Sequence, residues 1–302
     1  MKEWIPAAGL AGTLLLVVSQ PAGALELRRG TGEFAMDASL NSVMEVDADV
    51  DVTTWTLAEP HLNLFGTPFF LRFRGDYFDS DAVNRKTDML SRPLTEPMPG
   101  TDQSVSDLVA EETSVPVPAD YRLHGVNVDL GLGYDVFRND QGYLGVAVNT
   151  GASGPFMKIR NLSSDGSDFT DALDDFDTQA ITYKLGGTLL GRYQLTPWLG
   201  MEGSFNWSHQ TGEMENDLLG SGVDVDGQYR TYNLALKVKP AKLLPHAPLV
   251  DDAFLTVGYT ATRWDYDATE VTTPVGDFRF DDEMLDVGFD HTSAYVGFGY
   301  DF

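Results

Sequence analysis

His291 and Ser293 supply the two groups that nucleophilic acyl transfer requires, a base and a hydroxyl, and residues two apart on an extended strand share a face. Whether they react depends on which face that is. The other histidines are His61, His124, His209 and His246. His61 lies near a turn in EPHLNLFG and His246 in the connection PAKLLPHAPLVDD, both reading as turn or surface residues. Ser208 and His209 are adjacent, so on a strand they point to opposite faces. Three acidic runs, DADVD (47–51), SDGSDFTDALDDFD (164–177) and DVDG (224–227), offer oxygen ligands to calcium. None has the D-x-D-x-D-G spacing with a distant glutamate, so they read as solvated loops and no metal site is expected. Weakly bound divalent cations, bridging such carboxylates to lipid phosphates, are a hypothesis.

The elements that must carry these residues are strands. In the C-terminal stretch Thr292, Ala294, Val296, Phe298, Tyr300 and Phe302 fall on one face, and His291, Ser293, Tyr295, Gly297, Gly299 and Asp301 on the other. The same period of two recurs. Phe69, Leu71, Phe73 and Tyr77 oppose Arg72, Arg74 and Asp76; Val126, Val128, Leu130 and Leu132 oppose Asn127, Asp129, Gly131 and Gly133. Ile181, Tyr183, Leu185 and Leu189 alternate with Thr182, Lys184 and Thr188, and Leu199, Met201, Phe205 and Trp207 with Glu202, Ser204 and Asn206. Weaker candidates at 32–44, 50–59, 142–160, 228–239 and 252–266 bring the total to about ten strands, within a range of 8–12.

Connection lengths alternate as well. RNDQG (138–142) and QLTPW (194–198) are tight turns, and the breaks near 64–68 and 240–251 are short to moderate. The segments 79–120, 161–177, 212–227 and 267–288 read as long polar loops, the first rich in proline and acid and folded over one mouth or mobile. Long loops on one side and short turns on the other suit a transmembrane antiparallel barrel. A barrel in water would turn its apolar face inward, whereas here the polar face is crowded with small residues and charges of both signs, as a narrow lumen requires. The lumen network expected is Arg72, Arg74, Asp129, Lys184, Arg192, Glu202 and Lys237. Aromatics near strand ends are assigned to the interfacial girdles: Tyr77, Tyr134, Tyr143, Tyr193, Trp198, Trp207, Tyr232, Tyr259, Trp264, Tyr300 and Phe302.

Residues 1–24 read as a cleaved secretory signal, with Lys2, an apolar run from about Ile5 to Val18 and Ala22-Gly23-Ala24 before the cut. The apolar run falls short of the roughly 20 residues that span a bilayer. Residues 25–302 then form one barrel domain. The chain contains 46 acidic and 20 basic residues, a formal charge of −26, which argues against nucleic acid as a partner. No cysteine is present, so thiol chemistry is excluded.

The ending GFGYDF, with Gly297, Tyr300 and Phe302, resembles the C-terminal signal of Gram-negative outer-membrane β-barrel proteins, departing from it at Tyr295 where a more polar residue is usual. The resemblance implies outer-membrane lipid as the surroundings and the barrel-assembly machinery as a partner. The His291-x-Ser293 spacing is similar to the pair in outer-membrane lipid A deacylases, but Ala294 stands where that family has asparagine, and that family's pair faces lipid. An omptin-type protease needs paired aspartates and an Asp-His couple at the rim, and aspartate is too abundant here for a match to inform. The expectation is a cofactor-free monomer in the cell outer membrane, a non-enzyme with a structural or surface-interaction role or a narrow solute channel. The alternative is a lipid or peptide hydrolase.

Overall fold

The computed structural model describes residues 23–40, 44–81, 83–91, 114–160, 176–216, 221–244, 250–273, 276–279 and 285–301. The strands are β1 (Ala24–Leu40), β2 (Met44–Asn63), β3 (Phe69–Ser80), β4 (Val83–Ser91), β5 (Ser114–Asn139), β6 (Gly142–Arg160), β7 (Phe176–Thr196), β8 (Leu199–Asn216), β9 (Ser221–Val238), β10 (Ala253–Thr273), β11 (Gly276–Arg279) and β12 (Leu285–Asp301). β3 and β4 occupy one stave, since both lie between β2 and β5, and β11 pairs with β10 as a small hairpin. The remaining pairs run antiparallel around a ring that closes through β1, which bonds to both β2 and β12. The result is a closed ten-stranded barrel in which every stave of the ring is paired on both sides.

Facing along the staves follows the alternation. Leu132, Leu185, Val257 and Val296 stand exposed on the outer wall while Asp129, Lys184, Thr256 and Ser293 are buried inside. An apolar belt outside a polar interior inverts the order of a protein surrounded by water and is what hydrocarbon requires. The strands meet in short turns at one mouth. Asp140 and Gln141 join β5 to β6, where Asn139 Oδ1 accepts the amide N–H groups of Gln141 and Gly142 at 2.9 Å each. Between β2 and β3, Phe65 and Gly66 both take positive φ, 55° and 70°. A single helical turn, Pro240–Leu243, follows β9.

The other mouth differs from the expectation. β1 begins at Ala24 rather than 32, β2 spans Met44–Asn63 rather than 50–59, and described parts of the supposed loops are strand: β4 and the start of β5 within 79–120, the end of β8 and the start of β9 within 212–227, and the end of β10, β11 and the start of β12 within 267–288. The reason is that facing polarity reverses there. Inward positions become apolar, with Phe34, Met36, Val50, Val52, Val223 and Val225 buried, while Glu33, Asp51 and Asp224 stand outside. This end therefore resembles a water-surrounded barrel stacked on the membrane-spanning one, and its charged outer face looks like loop in a linear reading. DADVD and DVDG accordingly sit in β2 and β9. Residues 1–22, 92–113, most of 164–177, His246 and Phe302 lie outside the described residues.

The interior of this upper tier is an aromatic cluster. Phe34 stacks on Phe78 with ring centroids 5.1 Å apart, and Trp264 lies 5.9 Å from Phe34 and 5.7 Å from Tyr229. Trp264 Nε1 donates to Ser153 Oγ at 2.7 Å, so the indole is buried without losing its hydrogen bond. Trp264 and Tyr143, both assigned to girdles, thus belong to the lumen, Tyr143 packing on the ring of His61. Each aromatic so buried contributes about 1.5–3 kcal/mol.

Candidate functional site

The lumen below the aromatic cluster is built from polar residues at alternate positions of facing strands. Arg74 Nε lies 2.8 Å from Asp76 Oδ2, and Asp76 also accepts from Thr56 at 2.6 Å and Asn127 at 3.0 Å. Lys184 Nζ is 2.9 Å from Asp129 Oδ1, donates to Asn127 and sits 3.7 Å from the centroid of Tyr229. Arg72 donates to Thr188 Oγ1, which in turn donates to Asn149 at 2.6 Å. Nearer the turns, Arg28 pairs with Glu26 at 2.8 Å and Glu202 at 3.5 Å, donates to Asn233 and lies over the Tyr295 ring.

Of the residues expected in this network, Arg72, Arg74, Asp129, Lys184, Glu202 and Lys237 are buried in the lumen. Arg192 stands at the mouth, 3.7 Å from Asp301. Lys237 meets the same carboxylate at 2.6 Å. The sequence reading missed Glu26, Arg28 and Asp301 as partners, and above all His61 with Asp135, whose Nε2 and Oδ1 are 2.7 Å apart. These two are separated by 74 residues, and only the closure of β2 through β3 onto β5 brings them together.

His291 and Ser293 both face the lumen. They are not joined by a hydrogen bond: His291 Nε2 lies 2.9 Å from Thr54 Oγ1, its ring stacks on Phe78 at 5.5 Å, and Ser293 Oγ has no hydrogen-bond partner among the described residues. The base is occupied by a hydroxyl of another strand, so the pair is not arranged for proton transfer from Ser293. Ser208 points inward while His209 is exposed outside, 3.7 Å from Asp226. Gly297 faces inward beside Glu26, whose Oε1 would be 2.4 Å from any Cβ at that position, and Tyr300 points outward. The glycine thus makes room for the Glu26–Arg28 pair.

No protein-family model matches the chain and no curated protein sequence matches it. Among solved structures, the outer membrane protease OmpT from Escherichia coli is similar with a TM-score of 0.55 at 10% identity, over 92% of this chain and 97% of OmpT. The translocator domain of the autotransporter NalP from Neisseria meningitidis gives 0.34 at 12% identity, covering 98% and 95% of the two chains. The attachment invasion locus protein Ail of Yersinia pestis gives 0.27 at 7%, covering 91% and 99%. The last two scores are too low to add to the argument, and at such identity the likeness to OmpT concerns architecture alone. The fold is a closed antiparallel barrel of the kind OmpT has, in agreement with the fold class read from the sequence.

Proposed function

We propose that the protein is a solute-impermeable outer-membrane barrel with a structural or surface-interaction role. The observation that carries this reading is the filling of the lumen at two levels. Phe34, Phe78, Tyr229, Trp264, Tyr266 and Phe289 occupy the upper tier, each at most 2% exposed, and the Arg74–Asp76 and Lys184–Asp129 pairs occupy the tier below. A ten-stranded barrel is only slightly wider than one whose side chains fill it, so two such tiers leave little space for a solute path. Beyond the belt, the outer wall carries ion pairs such as Arg122 with Asp79 at 3.0 Å and Arg263 with Asp265 at 2.6 Å, a firm polar surface for contact outside the membrane.

Purified protein in a planar bilayer is expected to show no stable unitary currents, and reproducible single-channel steps would replace this reading with that of a narrow channel. The rival hydrolase reading needs a joined base and nucleophile, and His291 is engaged by Thr54. The proposal includes a monomer, removal of residues 1–24 as a signal peptide, and recognition of Gly297, Tyr300 and Phe302 by the assembly machinery. Intact mass of protein from outer-membrane fractions should correspond to a chain starting at Leu25; a retained leader would contradict this.

A further inference from the structure

The mouth bounded by the short turns contains a cavity of about 300 Å³ whose wall includes His61, Tyr143, Arg138, Arg192 and Asp301, together with Gly23 and Ala24, whose proposed removal with residues 1–24 opens that side of the cavity further. His61 is fixed from several sides. Its backbone N–H donates to Glu59 Oε1 at 3.2 Å, its Nε2 contacts Asp135, and its ring lies between Phe70 and Tyr143 with centroids 4.4 and 4.0 Å away. With Nε2 taken, Nδ1 is the remaining polar atom of the ring, and no described residue bonds to it. Carboxylate support of one imidazole nitrogen sets the tautomer and leaves the other as an oriented acceptor.

Arg192 has the opposite need. Lys237 and Lys239 approach Asp301 at 2.6 and 2.7 Å and satisfy that carboxylate, while Arg192 stays at 3.7 Å, beyond hydrogen-bond distance. Its guanidinium makes no hydrogen bond to any described residue, although the side chain is only 21% exposed. Arg138 reaches Asp135 at 3.4 Å with a single nitrogen. Formal charge at this mouth does not favour an anion, since Arg138, Arg192, Lys237 and Lys239 face Glu59, Asp135, Asp140, Asp301 and the nearby Glu202. Attraction for a ligand therefore rests on unfilled guanidinium donors and not on net field.

We propose that this cavity binds a small solute carrying a phosphate or carboxylate group and a neighbouring hydroxyl. Arg192 and Arg138 receive the anion and His61 Nδ1 accepts the hydroxyl proton in a hydrogen bond. The volume suits a molecule of a few heavy atoms, at the lower end of small-molecule sites. The walls are turns and lumen-facing side chains, so a free solute reaches the site and a bilayer headgroup does not.

The test is calorimetric titration of the chain starting at Leu25, in a nonionic sugar-headed detergent, with inorganic phosphate, which carries both an anionic and a hydroxyl oxygen, and with acetate, which lacks the hydroxyl. Saturable phosphate binding, tighter than acetate, is expected. Arg192→Gln should weaken it about tenfold, the loss of one charge-assisted hydrogen bond. His61→Phe keeps the ring stack and should remove the preference for phosphate over acetate. Arg122→Gln, in the outer-wall pair far from this mouth, should change nothing. Absence of saturable phosphate heat, or unaltered affinity in a folded Arg192→Gln protein, overturns the proposal. Should Arg192→Gln fail to fold, Arg192→Lys keeps the charge without the planar fork, and unaltered affinity there would overturn it equally.

Discussion

Replacing Lys184 by Met tests whether the lumen is dry. Lys184 is 2% exposed, and its ammonium lies 2.9 Å from Asp129 Oδ1 and 3.7 Å from the centroid of the Tyr229 ring and is bonded to Asn127. Met fills nearly the same volume but withdraws the positive charge. Asp129 then retains a hydrogen bond from Asn127 Nδ2 at 3.2 Å, while Oδ1, which has only a charge contact with Lys184, is left bare. Removing one member of a buried ion pair costs about 3–5 kcal/mol, whereas an exposed pair is worth about 0–1 kcal/mol. In the double variant Lys184→Met with Asp129→Leu no uncompensated charge remains, and stability should return to within about 1 kcal/mol of the parent or exceed it. Guanidinium unfolding in lipid vesicles, followed by tryptophan emission and by the gel-mobility shift of the folded barrel, measures the parent, both single variants and the double variant. A single-variant cost below about 1 kcal/mol would show that water screens the pair and would count against a sealed interior. A double variant as unstable as the sum of its parts would refute the argument that the cost lies in a stranded charge.

Three further outcomes follow from local geometry. Phe65 has φ of 55° and is 90% exposed, so Phe65→Gly should relieve backbone strain and raise stability by about 1 kcal/mol in the same unfolding assay; a loss would mean the side chain has a partner that matters more. Phe fits the stack that His291 makes with Phe34 and Phe78, so His291→Phe should cost no more than about 1.5 kcal/mol and leave the folded gel mobility unchanged; a misassembled barrel would show that the Thr54 contact is indispensable. A Cβ on Gly227 would lie 1.8 Å from the carbonyl oxygen of Asp265, so Gly227→Ala must part β9 from β10 and should cost about 1–3 kcal/mol, read as a lower unfolding midpoint; an unchanged midpoint would contradict that close approach.

The membrane-spanning part of each strand was legible because its two faces meet two different solvents. Leu185 against Lys184, or Val296 beside Tyr295 and Gly297, is a contrast visible in a linear pattern, and it placed His291 and Ser293 in the lumen. The tight turns at 138–142 and 194–198 were legible from their turn residues. The upper tier was not, because there both signals change sign: Glu33 and Asp51 lie outside, Phe34 and Val52 inside, and an acidic outer face in a chain of charge −26 looks like loop.

What the sequence by itself determined is therefore the class: period-two strands with an apolar and a polar face, connections of unequal length, and lumen positions for Arg72, Arg74, Asp129 and Lys184. Tertiary structure alone decided who meets whom. Side-chain alternation is a local property with a period of two residues, but pairing across a barrel depends on register summed around the whole ring. That sum sets Lys184 against Asp129, turns Trp264 and Tyr143 inward, gives His291 to Thr54 instead of Ser293, and joins His61 to Asp135 beside an Arg192 with no hydrogen-bond acceptor among the described residues.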